Sequence, residues 1–114
     1  MGRDLSFWKS TEKYKCTNEE IYRKLSDGEY VEGLETLPTE EIMKKFINEF
    51  KVWERLSPTC FEKGNSCFEI MITKQFVRVD CYSMSERDMN VIIDIMDEYK
   101  CPLYDSVIDV RFDE

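Results

Sequence analysis

Two neighbouring stretches restrict this chain more than any other feature of it. Between Cys67 and Thr73, the side chains of Phe68, Ile70 and Ile72 fall on every second position; between Phe76 and Tyr82, Val77, Val79 and Cys81 do the same. A period of two is the strand period, because successive side chains on an extended backbone point to opposite faces. Lys74-Gln75 is short enough to join the two runs as a hairpin. One face of that hairpin must be core. The other would carry Glu69, Met71, Phe76, Arg78, Asp80 and Tyr82, a side of mixed character.

The remaining patterns are helical or short. Thr17 precedes Glu20 by three residues, the spacing of a capping box, and predicts a helix from about Asn18 to Ser26 that stops at Asp27-Gly28. From Thr39, the residues Ile42, Phe46, Ile47, Phe50 and Trp53 recur at helical spacing behind Glu40 and Glu41, so Phe46, Phe50 and Trp53 are expected in the core. Ser85 opens a third helix with Met89, Ile92, Ile93 and Met96 as its buried stripe, and Cys101-Pro102 ends it. Leu5 to Trp8 reads as an opening strand. Leu103-Tyr104 and Val107 to Phe112 read as one or two closing strands, with Ile108, Val110 and Phe112 alternating. Residues 57–66, which hold Pro58 and Gly64, read as a connection.

At 114 residues the chain suits one domain, spanning 1–114. The order strand, helix, helix, strand, strand, helix, strand predicts an α+β fold: an antiparallel sheet with helices packed on one face, of the ferredoxin-like split βαβ type with an additional helix.

Charge narrows the function. With 16 basic against 24 acidic side chains the net charge is −8, which repels nucleic acid and anionic membranes and favours basic partners. No run is long and apolar enough to span a membrane. There is no His, which removes the usual general base, and neither a nucleophile motif nor a phosphate loop is present; no enzymatic activity, no cofactor and no metal is expected. An RNA surface built on Phe76 and Tyr82 would need a positive groove, and only Lys74 and Arg78 lie nearby.

The five cysteines, Cys16, Cys60, Cys67, Cys81 and Cys101, are odd in number and lack the close pairs of a zinc ribbon. Cys81 and Cys101 read as small buried residues and the others as reduced thiols, which implies the cytoplasm.

The acidity is concentrated in two blocks. Residues 17–41 hold two basic and eight acidic side chains, and residues 84–114 hold three and nine. Asp27, Glu29, Glu32 and Glu35 in the first block, with Asp94, Asp97, Glu98, Asp105 and Asp109 in the second, are candidates for a field that steers a basic partner. Asp94, Asp97 and Glu98 lie opposite the core stripe of the third helix, with few cations on neighbouring turns. Trp8 and Tyr104 are candidate aromatic anchors beside these acids.

The Phe7-Trp8-Lys9-Ser10 opening, the Leu37-Pro38 helix entry, the late hairpin and the Tyr99-to-Asp105 stretch resemble small acidic bacterial immunity proteins of toxin–immunity systems, including contact-dependent growth inhibition. The resemblance implies a cytoplasmic protein that binds a cognate toxin, often a nuclease, and blocks it. It carries over no residue roles. The alternative is a ferredoxin-like regulatory or scaffolding module that binds a small ligand or forms a homodimer through the face carrying Met71, Phe76 and Tyr82.

Overall fold

The computed structural model of the protein describes residues 2–10 and 17–112. Cys16 and most of the loop expected after the opening strand lie outside the described residues. The described residues form three helices and seven strands in the order β1 (Gly2–Phe7), α1 (Asn18–Ser26), α2 (Thr39–Glu49), β2 (Glu54–Ser57), β3 (Cys60–Lys63), β4 (Ser66–Ile72), β5 (Val77–Tyr82), α3 (Glu86–Asp97), β6 (Leu103–Asp105) and β7 (Val110–Arg111). All seven strands join one antiparallel sheet in the order β2-β3-β4-β5-β1-β6-β7, so the expected α+β class holds.

Local signals start the helices as read, but their ends differ: α2 ends at Glu49, before Phe50 and Trp53, and α3 ends at Asp97, short of Cys101-Pro102. The buried stripe of α3 is Ile92, Ile95 and Met96, with Met89 and Ile93 half-buried. The Thr17 hydroxyl accepts from the Glu20 amide at 3.2 Å while the Glu20 side chain reaches back to the Thr17 amide, which closes the capping box of α1. Gly28 follows at φ +81°, a conformation other side chains rarely adopt. Ser85 caps α3 through the Asp88 amide at 3.1 Å. The β4–β5 hairpin turns at Lys74-Gln75, with the Thr73 amide donating to the Phe76 carbonyl.

The first face of the sheet carries the larger core. Leu5 and Phe7 of β1, Phe68 and Ile70 of β4, and Val77, Val79 and Cys81 of β5 pack under Ile42 and Phe46 of α2 and under Ile92, Ile95 and Met96 of α3. Phe50, Phe61 and Trp53 close round Phe68, with ring centroids 4.7, 5.0 and 5.5 Å from it.

Helices were expected on one face only. Instead, α1 packs on the opposite face, where Ile21 and Leu25 join Trp8, Phe76, Tyr104, Val31 and Leu34 in a second core. The reason is the hydrophobic load of that face: Trp8, Phe76 and Tyr104 offer more apolar surface than a solvated side can leave bare.

Two further differences concern strands. Residues 57–66 are not a plain connection, since β2 and β3 form a hairpin around Pro58. Every residue of β2 is exposed, so it has no periodic signal, and β3 is anchored by Phe61 alone. At the other edge, Val107 to Asp109 form a turn with Asp109 at φ +50°, which confines β7 to two residues and leaves Ile108, Val110 and Phe112 exposed.

Candidate acidic face and adjoining cavity

The register of the sheet sorts the side chains of its second face into rows. One row runs Glu54–Glu62–Cys67–Tyr82–Gly2 across β2, β3, β4, β5 and β1. The next runs Cys60–Glu69–Asp80–Asp4. The third runs Met71–Arg78–Ser6–Tyr104–Arg111 and belongs to the side that α1 covers. The first two rows contain five carboxylates and no Lys or Arg.

Three of their pairs set like charges directly opposite: Glu54 with Glu62, Glu69 with Asp80, and Asp80 with Asp4. Such pairs destabilise a sheet, each by a few tenths to about 1 kcal/mol. Relief is partial. Asp80 holds Arg78 at 3.2 Å, and Asp4 accepts from the Tyr22 hydroxyl at 2.6 Å and the Ser106 hydroxyl at 3.0 Å. Among the described residues, Glu54, Glu62 and Glu69 are in no ion pair.

Where α1 meets this face a cavity of about 290 Å³ opens, lined by Glu19, Tyr22, Arg23, Ser26, Asp27, Arg78, Tyr104 and Ser106. The Arg78 guanidinium donates to the Ser26 hydroxyl at 3.1 Å, and the Tyr104 hydroxyl donates to Asp109 at 2.8 Å. Burial, followed by the hydrogen bond to a carboxylate, raises both Tyr22 and Tyr104 above the usual phenol range.

The residues singled out from the sequence scatter. Trp8 and Tyr104 are 0% and 1% exposed, and Asp105 is 3% exposed in an ion pair with Arg3 at 2.6 Å, so none of the three is a surface anchor. The two rings meet in the second core with centroids 5.2 Å apart and planes tilted by 45°, and the Arg111 guanidinium lies 4.9 Å over Trp8. Asp27 is exposed in the cavity wall, Glu29 and Glu32 are exposed in the loop after α1, and Asp109 is exposed beside Tyr104. Glu35 lies 3.7 Å from Lys9. Asp94 and Asp97 are exposed on α3, across the sheet from α1, and Glu98 is compensated by Lys45 of α2 at 3.0 Å. The two acidic blocks therefore form no single field.

The face offered for a homodimer is also closed: Phe76 is buried, Met71 is half-buried in the second core, and only Tyr82 is exposed. Sequence reasoning placed Glu69 and Asp80 on the second face through alternation but missed Asp4, Glu54 and Glu62. Their signal was not in any local run. It lies in the pairing of strands distant in sequence.

No cluster of three or more His, Cys, Asp or Glu positioned for a metal exists among the described residues, and no described helix is long and apolar enough to cross a membrane. Comparison with protein-family models and with curated proteins finds no match.

Proposed function

We propose that this protein is a non-catalytic inhibitor that binds a basic protein partner through the acidic half of its second sheet face, as an immunity protein binds a cognate toxin in the cytoplasm. The observation that carries this reading is the set of opposed like-charged pairs, Glu54–Glu62, Glu69–Asp80 and Asp80–Asp4, in which Glu54 and Glu69 are exposed, Glu62 and Asp80 are half-buried, and Asp4 lies under Tyr22 and Ser106. A fold that keeps such repulsion departs from local consistency, and departures of this kind concentrate at functional sites. A cationic surface laid on these rows removes the repulsion and is steered there by the net charge of −8. A nuclease suits the role, because a surface that binds phosphates is itself basic.

The test is co-expression with the product of the adjacent gene and calorimetry of the purified pair at two salt concentrations. Binding that weakens with salt, and is lost in Glu62→Lys and Glu69→Lys, is the expected result. Binding indifferent to salt and to both reversals would overturn it. No binding, together with concentration-dependent dimers in sedimentation, would favour the self-associating module instead.

A further inference from the structure

Tyr82 is the one aromatic ring on the acidic rows, and its neighbours leave it open. Across from it on β1 is Gly2, which has no side chain, and across from it on β4 is Cys67, which has a short one. Tyr82 is 47% exposed, whereas Trp8, Phe76 and Tyr104 of the same sheet face are buried under α1. Among the described residues no other ring and no cation lies against it.

Three carboxylates stand around this ring. Asp80 precedes it by two residues on β5, and Glu69 and Asp4 hold the diagonal positions on β4 and β1. Diagonal positions lie about 7–8 Å apart, within reach of aromatic and long side chains. The three differ in what they already hold. Asp80 is paired with Arg78, and Asp4 accepts from the Tyr22 and Ser106 hydroxyls. Glu69 is exposed and in no ion pair among the described residues. An open ring beside an uncompensated carboxylate fits one chemical group best. A guanidinium is flat enough to lie on the ring while its fork of N–H donors bonds both oxygens of the carboxylate; an ammonium is a point charge that does neither.

We infer that Tyr82 anchors the basic partner: an arginine of that partner lays its guanidinium on the Tyr82 ring and forks onto Glu69. Tyrosine and arginine are among the residues on which interface affinity concentrates. The inference rests on the proposed function and has its own test. Acetyl-tetra-arginine-amide and acetyl-tetra-lysine-amide carry equal charge, and each is titrated into the full chain and followed by amide NMR. Saturable shifts at Cys67, Glu69 and Tyr82 are expected with both, at lower concentration for the arginine peptide. Tyr82→Leu weakens the arginine peptide about threefold and leaves the lysine peptide unchanged, whereas Tyr82→Phe, which keeps the ring, binds the arginine peptide as the native chain does. Equal loss of both peptides in Tyr82→Leu, loss of neither, or no saturable shift at these residues would overturn it.

The same titrations separate the two readings. If Tyr82→Leu changes neither peptide while Glu62→Lys and Glu69→Lys weaken both, only the arginine anchor falls. If the arginine peptide needs Tyr82 and Glu69 while both peptides are indifferent to Glu54→Lys and Glu62→Lys, only the wider acidic docking face falls.

Discussion

Gln75 bonds both backbone polar groups of Val31: its Oε1 accepts from the Val31 amide at 2.9 Å and its Nε2 donates to the Val31 carbonyl at 2.7 Å. One side chain from the β4–β5 turn thereby acts as a strand partner for the loop after α1, and a third bond, to the Leu34 carbonyl at 3.4 Å, extends the clamp. Gln75 is 3% exposed, so this carboxamide replaces water that cannot reach the buried loop backbone.

Replacing Gln75 with Leu keeps the volume and removes every one of these bonds. The buried Val31 amide and carbonyl are then unsatisfied, at about 1–3 kcal/mol for each group. Urea denaturation should show a loss of about 2–6 kcal/mol, with hydrogen exchange fastest at Val31 and Leu34.

The acidic rows make the opposite kind of prediction. Glu69→Lys exchanges repulsion with Asp80 for attraction and should stabilise the free protein by about 0.5 kcal/mol, which raises the melting temperature by roughly 2–4 °C. The same change should abolish binding to the basic partner. A variant that is destabilised, or that binds unchanged, would contradict the role given to these rows.

Thiol reactivity should divide by burial. Desolvation pushes Cys81 up to about 12 and Cys101 up to about 11, so neither forms an appreciable thiolate at pH 8. Peptide mapping after brief alkylation of the native protein should find Cys60 and Cys67 modified, since both are half-buried on the sheet, and Cys81 and Cys101 intact. Modification of all four in the absence of denaturant would show that the first core opens readily.

Alkaline pH should loosen α1. In Tyr22 burial and the Asp4 bond, and in Tyr104 burial and the Asp109 bond, raise the folded-state value above the ordinary one near 10. The folded state therefore holds protons that the unfolded chain releases. Stability from these groups is complete below about pH 10 and is lost as pH rises toward the folded values. Denaturant midpoints between pH 8 and pH 11 should fall, and Tyr22→Phe should flatten the slope.

Much of the chain follows from local pattern. The Thr17–Glu20 box, the stripe of Ile42, Phe46 and Phe50, the cap at Ser85 and the alternation through Phe68–Ile72 and Val77–Cys81 each set an element through interactions within a few residues. Charge and the lack of histidine likewise need no structure to be read. Three features had no such signal. β2 buries nothing, so only its pairing with β3 makes it a strand. Trp8 and Tyr104 look like surface anchors until α1 crosses to the second face and closes over them. The acidic rows exist only because β2, β3, β4, β5 and β1 come together in register, which brings Glu54 against Glu62 and Asp4 against Asp80. Short-range periodicity determines which face of an element is apolar; the side of the sheet a helix takes, and the charges that meet across strands far apart in the chain, are decided by tertiary packing.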